Sequence, residues 1–336
     1  MNALKIKYIP AAESDGLEYK IPYCEIDSGG SGPVVLITAA LHGTELNGTE
    51  IIRRFIPIVR RRLMRGRCLL LPFANLRAIQ KHQPHINYEI GRSYARDRAN
   101  NINGTWPGSP SGTSAQRASF AIKKALVDQA THNIDLHSWN HTWATGVLAR
   151  TGYDPSLQLA KASGIRFASH SEWMPERKRR PVTPCTLTSY FNDTGRAAIC
   201  IEFSGQNIIS PTEVRIGLRA ARNCLKLLKM LPGKPERGDV PQVWTNDARS
   251  TEVVASCSGV FLRSGVRLAA PVKKGELLGR IYASETLATL AVRAPTAGYL
   301  QRIGCLRVDS HNRGDHHAAT HPYAAKGETI ARILTQ

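Results

Sequence analysis

Long apolar runs are missing from this sequence of 336 residues. Nowhere do about 18 consecutive apolar residues suggest a membrane span, and the first residues, MNALKIKYIPAAESDG, lack the apolar core of a signal peptide. The seven cysteines lie far apart without a CxxC pair, which disfavours a thiolate metal site and a disulfide framework. The sequence therefore predicts a soluble, cytoplasmic protein with reduced thiols and no membrane partner.

Acidic residues are scarce beside basic ones, since 26 Asp and Glu face 45 Lys and Arg, which gives a net charge of +19. Such an excess fits a solvated basic surface, and it also fits attraction to nucleic acid, an anionic membrane surface or an acidic substrate. Aromatic residues make up only 7% of the chain, and no zinc-finger or RNP-like pattern accompanies the charge. We therefore do not expect a nucleic-acid ligand.

The first 235 residues alternate strand-like and helix-like segments, which is typical of an α/β layer structure. Four short apolar runs predict strands buried on both faces: Val34–Ala39, Cys68–Phe73, Asn133–Leu136 and Ala197–Phe203. Helical periodicity predicts five helices: Glu45 to about Met64, Ser114 to about Thr131, Pro155–Ser163, Leu187–Thr194 and Pro211–Leu231. We predict an α/β domain over residues 1–235.

A segment rich in proline and glycine, residues 231–241, precedes a change of pattern. After it come short strand-like segments separated by turns, without a convincing helix. They predict a small all-β barrel or sandwich domain over residues 240–336. Within it, residues 309–321 form a long polar, histidine-containing loop, which we interpret as a flexible or lid-like segment.

Three predicted strands each end on a residue that binds metals or moves protons. His42 and Glu45 follow the first, and His137 and Glu202 end two others, at the edge where open α/β sheets place ligand sites. Two histidines and a glutamate are the protein ligands of a hydrolytic zinc site, and Glu202 is then the natural general base. Asp135, two residues before His137, is placed to orient its imidazole. Alone, the His-x-x-Glu pair has an ordinary alternative, an acidic first turn of a helix.

The segments ALHGTELNG, NIDLHS and IEFSG, in that order, resemble the succinylglutamate desuccinylase/aspartoacylase family, a branch of the zinc carboxypeptidase-like hydrolases. The resemblance implies a mixed sheet with helices on both faces, followed by a barrel-sandwich or lipoyl-like module. It also implies that one Zn²⁺ per chain is bound by His42, Glu45 and His137, with Glu202 as catalytic base. This assignment agrees with the one drawn from the residues alone.

The stretch RDRANNINGTWPG, residues 96–108, resembles the substrate-binding segment of that family only in part. The resemblance implies that Arg96 polarises the scissile carbonyl and that Asn103 helps to hold a substrate carboxylate. Gly104 stands where the family has a second arginine, so the bidentate clamp for an α-carboxylate is missing. Arg98 is a nearby cation that could take its place.

These features predict a zinc-dependent amidohydrolase that removes the acyl group from an N-acylated amino acid or amine. One alternative is a carboxypeptidase-like or amidase activity on a larger anionic or peptide-like substrate, which the basic surface and Gly104 suggest. A non-enzymatic alternative is a basic polyanion-binding protein on a degenerate hydrolase fold. The expected partner is a small molecule, and the sequence is also compatible with a homo-oligomer.

Overall fold

A mixed nine-stranded sheet forms the larger part of the protein. The structure, a computed structural model, describes residues 1–89, 97, 99–151, 153–172, 184–236, 242–306 and 320–335. The strand order is β1-β2-β4-β3-β5-β8-β6-β7-β9, with the bounds Ala3–Ala12 (β1), Glu18–Asp27 (β2), Val34–Ala39 (β3), Arg67–Leu71 (β4), His132–Trp139 (β5), Gly146–Thr151 (β6), Phe167–Glu172 (β7), Ala197–Ser204 (β8) and Val243–Trp244 (β9).

The centre of the sheet is parallel, because β4, β3, β5 and β8 pair in the same direction. Strand β6 lies antiparallel to β8, while β7 is parallel to both β6 and β9. The β1–β2 hairpin adds antiparallel strands at the other edge. The mixed α/β sheet is therefore confirmed.

Helices cover both faces of the sheet. Their bounds are Asn47–Arg62 (α1), Leu76–Gln80 (α2), Ser114–Ala125 (α3), Asp154–Ser163 (α4), Leu187–Asp193 (α5) and Pro211–Leu227 (α6). One apolar core holds α1, α4 and α6 against side chains such as Ile134 and Ile201. The second core holds α3 and α5 on the opposite face, around Trp106. Alternate residues of each central strand enter opposite cores, as the two-residue period of a strand requires.

Local sequence explains several helix ends. Thr113 and Gln116 form a reciprocal capping box at α3, and Thr186 caps α5 by accepting from the Ser189 backbone N–H. Ser210 caps α6 in the same way, through the N–H of Glu213.

Two four-stranded antiparallel sheets form the C-terminal region, with the orders β10-β17-β15-β12 and β14-β13-β11-β16. They share one apolar core, in which Phe261 and Ile281 meet Leu300 and Ile333. The all-β prediction is confirmed, whereas the division into domains at residues 235–240 stays a prediction. The strand bounds are Arg249–Val254 (β10), Gly259–Arg263 (β11), Pro271–Val272 (β12), Leu277–Ala283 (β13), Thr289–Arg293 (β14), Gly298–Ile303 (β15), Tyr323–Ala324 (β16) and Thr329–Thr335 (β17).

The loop after β5 joins the large sheet to the C-terminal sheets. The backbone N–H of Ala144 donates to the carbonyl of Gln301 at 2.8 Å, and the N–H of Ile303 donates to the carbonyl of Thr142 at 2.9 Å. The guanidinium groups of Arg302 and Arg332 lie over the ring of Trp143, at 5.8 and 5.3 Å from its centroid. The end of β5 is thus anchored to β15.

All seven cysteines are free thiols, as predicted. Of the predicted histidine-containing loop, residues 309–319 lie outside the described residues. None of the helices in the described ranges combines the length and the apolarity needed to cross a bilayer.

Candidate active site

The turn between β3 and α1 places His42 and Glu45 at the carboxyl end of the sheet. The prediction that the helix begins at Glu45 is wrong, because α1 begins at Asn47 and residues 42–46 form a turn that directs both side chains inward. Gly48 explains the close approach of α1: a Cβ there would lie 2.7 Å from the Cβ of Leu136 and 2.8 Å from that of Ala39. A larger residue would push the turn away from the strands.

His42, Glu45 and His137 come together in a buried cluster, and one ligand atom from each lies within 4.8 Å of the others. Nδ1 of His42 is 2.8 Å from Oε1 of Glu45, and Nδ1 of His137 is 2.9 Å from Oε2 of the same carboxylate. Glu45 is fully buried, and its Oε2 also accepts from the backbone N–H of Ser138 at 3.1 Å. Two nitrogens and a carboxylate that converge in this way suit a metal ion.

Hydrogen bonds on the far side of each ring select the tautomer that a metal needs. Nε2 of His137 lies 3.0 Å from Oδ2 of Asp135, and Nε2 of His42 lies 3.1 Å from Oδ1 of Asn101. Because both partners are acceptors, each Nε2 carries the proton and donates it, which leaves the Nδ1 lone pair directed into the cluster. Asp135 is itself held by the Thr38 hydroxyl, which donates to Oδ1 at 2.5 Å.

The charges of the cluster depend on one another. Burial alone would raise the pKa of Glu45, but the two histidines lower it well below its usual range. For His137, burial lowers the pKa, while Asp135 and Glu45 together raise it well above the usual range. The protein without metal therefore keeps Glu45 ionised beside a protonated His137, and a cation bound there would replace that proton.

Glu202 stands next to this cluster on the neighbouring strand. It pairs with His137 in the register of β5 and β8, so the two side chains project from the same face. Burial raises the pKa of Glu202 to about 8; His137 opposes the shift, and Glu45 and Asp135 add to it. Its Oε2 atom is buried and has no hydrogen-bond partner among the described residues.

The predicted substrate residues are only partly described. Asn103 lies in the short 3₁₀ turn Ile102–Gly104; its Nδ2 is 3.5 Å from Nε2 of His137, and its Oδ1 accepts from the Leu187 backbone N–H at 3.1 Å. Gly104 ends the same turn and offers no side chain. Arg96 and Arg98 lie outside the described residues.

Asn101 is a site residue that the sequence did not reveal. It holds the ring of His42 just as Asp135 holds that of His137. A general rule could have pointed to such a residue: each of the two histidine ligands needs a hydrogen-bond partner for its second ring nitrogen, and Asp135 serves only His137.

A family model described as "Succinylglutamate desuccinylase/Aspartoacylase catalytic domain" matches residues 31–228, more than half of the chain. The chain belongs to the succinylglutamate desuccinylase/aspartoacylase family. The predicted membership of this deacylase family is thereby confirmed.

Relatives of the chain cover most of its length at low identity. An N-alpha-acetyl-L-2,4-diaminobutyric acid deacetylase from Halomonas elongata is 24% identical over 260 residues, which are 75% of this chain and 71% of the relative. A solved succinylglutamate desuccinylase/aspartoacylase from Rhodobacter sphaeroides superposes with a TM-score of 0.68 at 22% identity, covering 100% of this chain and 96% of that one.

The carboxypeptidase-like fold is confirmed as well. A metallo-carboxypeptidase from Burkholderia cenocepacia superposes with a TM-score of 0.52 at 11% identity, covering 67% of this chain and 65% of that one. The cytoplasmic location and the oligomeric state stay predictions.

Proposed function

We propose that the protein is a zinc-dependent amidohydrolase that deacylates an N-acylated amino acid or amine. The observation that carries the proposal is the convergence of His42, Glu45 and His137 within 4.8 Å. Beside them stands a second glutamate, Glu202, whose Oε2 has no partner in the described part of the chain. Membership of a deacylase family supports it. The Halomonas relative, named for deacetylation of an N-acetyl amino acid, supports the substrate class.

In this proposal His42, Glu45 and His137 would hold one Zn²⁺, each histidine through the Nδ1 atom that faces the cluster. When bound, zinc supplies polarisation of the scissile carbonyl and a lower pKa for a water molecule. Asp135 and Asn101 keep both rings in the binding tautomer, since each accepts a hydrogen bond from the Nε2–H of its histidine. The buried setting excludes bulk water and strengthens these electrostatic interactions.

Glu202 acts as general base and later as general acid. Its carboxylate accepts a proton from the attacking water and returns it to the nitrogen of the leaving amine. The buried Oε2 atom is suited to this exchange because no protein group competes for it among the described residues. A pKa near 8 lies close enough to neutrality for the group to both accept and release the proton.

Three further residues complete the proposed site on the amino-acid side. Asn103, which lies beside His137, orients the substrate carboxylate. Arg96 polarises the carbonyl, and Arg98 supplies the positive charge that Gly104 does not. The amide of Asn103 supports this placement, because its orientation is fixed by the backbone of Leu187.

The proposal is tested by elemental analysis together with an assay of acetate release from N-acetylated amino acids, beginning with N-acetyl-L-2,4-diaminobutyrate. We expect about one zinc per chain, which His42→Ala loses. Glu202→Gln should retain zinc, because Glu202 is not a ligand, and should lower kcat by about 10²–10⁴-fold. Glu285→Gln, an exposed change in the turn between β13 and β14, serves as the control.

Two results would contradict the proposal. One is a zinc-loaded wild-type protein that releases acetate from none of the compounds. The other is a Glu202→Gln variant that turns over at the wild-type rate, which would remove Glu202 from the mechanism.

A further inference from the structure

A cavity of about 200 Å³ opens beside Glu202. Its walls come from four strands of the large sheet and include Trp139, Gly146, Phe167 and Ser169. At about 30 Å³ for each water molecule, it holds roughly six water-sized groups. Its only ionisable side chain in the described part of the chain is Glu202.

The register of the strands explains why the cavity adjoins the reacting groups. Gly146 pairs with Glu202 across β6 and β8, and with Phe167 across β6 and β7. These three residues therefore occupy one row on the face of the sheet that also carries His137. In the middle of this row stands a glycine, and the edge of the Trp139 indole ring takes the place of its missing side chain at the wall of the cavity.

Gly146 is required by its surroundings rather than by its backbone conformation. A Cβ at this position would lie 2.8 Å from Cη2 and 3.1 Å from Cζ2 of Trp139. An alanine would therefore push the indole ring into the cavity or occupy part of it. Residue 146 thus controls the width of the cavity.

The C-terminal sheets contribute one residue, Gln301, to the same cavity. The pairing of β15 with β17 steps from Leu300–Ile333 to Arg302–Arg332, so Gln301 is the extra residue of a β-bulge. Bulges redirect side chains and occur next to active sites. The backbone carbonyl of Gln301 leaves the ladder and accepts from Ala144, which fixes the bulge against the loop after β5.

Gln301 is only 9% exposed as a residue, and it lines the cavity. Its side-chain amide offers both a donor and an acceptor to a group that enters this space. A bound group with its own donor or acceptor would hydrogen-bond to this amide.

We propose that Gly146 and Gln301 determine substrate specificity: the cavity receives the side group of the N-acylated amino acid, and the Gln301 amide hydrogen-bonds to the polar end of that group. The inference rests on the proposed function and narrows its substrate class. The preferred side group is a chain of at most about six heavy atoms that ends in a hydroxyl or an amine. The C-terminal region then takes part in substrate choice.

Four N-acetyl amino acids test this inference in steady-state assays of the full-length, zinc-loaded protein. N-acetylglycine has no side group, whereas the derivatives of norvaline, homoserine and 2,4-diaminobutyrate have side groups of equal length that differ only in the terminal group. Wild-type kcat/KM should be higher for homoserine or diaminobutyrate than for norvaline. Gln301→Met, which keeps the length of the side chain, should reduce that ratio about tenfold, the value of one hydrogen bond.

Gly146→Ala tests the steric half of the inference. It should lower kcat/KM for all three longer substrates at least tenfold relative to N-acetylglycine. The ratio of kcat/KM for the homoserine derivative to that for the norvaline derivative should change much less. Gly265→Ala is the matched control, because a Cβ there meets nothing within 4 Å. Thermal unfolding of each variant shows whether it has folded.

The outcomes separate this inference from the function on which it rests. The role of Gln301 is overturned if the wild type hydrolyses these compounds and Gln301→Met has the same homoserine-to-norvaline ratio of kcat/KM as the wild type. Unchanged chain-length selectivity in Gly146→Ala overturns the steric role. A zinc-loaded wild type that hydrolyses none of the four compounds overturns the proposed function, and this inference with it.

Discussion

Asn47 joins the three segments that carry the site, and its removal should destabilise the protein measurably. This fully buried side chain donates from Nδ2 to Oγ of Ser138 and to the carbonyl of Gly205, both at 3.3 Å. Its Oδ1 accepts from the backbone N–H of Ser210 at 2.8 Å. Asn47 thus links the start of α1 to the ends of β5 and β8.

The expected loss follows from these contacts. Asn47→Ala removes these bonds and a longer one, of 3.5 Å, to the carbonyl of Ser204. It leaves the backbone N–H of Ser210 without this partner, whereas the carbonyl of Gly205 keeps the N–H of Ile208. At about 1 kcal/mol for each bond, the free energy of unfolding should fall by roughly 2–4 kcal/mol. Zinc affinity should fall as well, because the N–H of Ser138, a residue that Asn47 holds, also donates to Glu45.

Urea denaturation of the metal-free protein measures the effect as a shift of the midpoint at constant m-value. Thr212→Ala is a suitable control, because the side chain of the exposed Thr212 bonds only to Arg215 among the described residues. This change should alter the free energy of unfolding by less than about 0.5 kcal/mol. A loss below about 0.5 kcal/mol in Asn47→Ala would refute the view that this side chain joins the three segments.

Three other predictions concern the proposed metal site. Zinc at 100 times its Kd should stabilise the fold by about 2.7 kcal/mol, seen as a higher Tm that His42→Ala abolishes; an equal Tm rise in that variant would contradict the ligand assignment. Asp135→Asn should weaken zinc binding about 10–100-fold in a chelator competition, and unchanged affinity would deny Asp135 a part in orienting His137. Folding raises the pKa of Glu202 from 4.5 to about 8. The protonated carboxyl group therefore makes its full contribution to the free energy of unfolding below pH 4.5, and this contribution is lost as the pH rises towards 8. At about 1.4 kcal/mol for each pKa unit, the free energy of unfolding of the metal-free wild type should fall over that range by up to roughly 4 kcal/mol more than that of Glu202→Gln. Equal dependence of the two unfolding free energies on pH would contradict the pKa shift.

The core of the site could be predicted because it obeys a rule of sheet geometry. Parallel strands place their carboxyl ends at one edge, so His42, His137 and Glu202 had to meet if their strands were neighbours. Asp135 followed from the two-residue period, since it shares a strand face with His137. The structure places all four residues within the same buried region.

Residues that act across the fold gave no such signal. Gln301 reaches the cavity because a bulge shifts one position of β15, and neither the bulge nor the contact with the loop after β5 has a local sequence pattern. Gly146 is an unremarkable glycine until its neighbours Trp139 and Phe167 are known. Such roles depend on tertiary packing, which propensity and periodicity do not encode.

Strands outside the parallel centre of the sheet were missed for a related reason. β1 exposes most of its length, including Ile6 and Tyr8, so it lacks the apolar run that marks a buried strand. β6 and β7 are short and contain glycine, threonine and serine, and they therefore resemble loops in sequence. The predicted strands are those whose two faces are both buried.

The position of β8 between β5 and β6 has a consequence for synthesis on the ribosome. In the chain β6 follows β5 and ends at Thr151, but in the sheet β8 lies between them. β8 is synthesised later and ends only at Ser204. At about 5–20 residues per second, β5 and β6 wait roughly 3–10 s for the strand that separates them. During that interval both carry unpaired edges, which are templates for pairing between chains. Slower initiation or a holding chaperone should therefore raise the soluble yield more than a stabilising change in the finished fold.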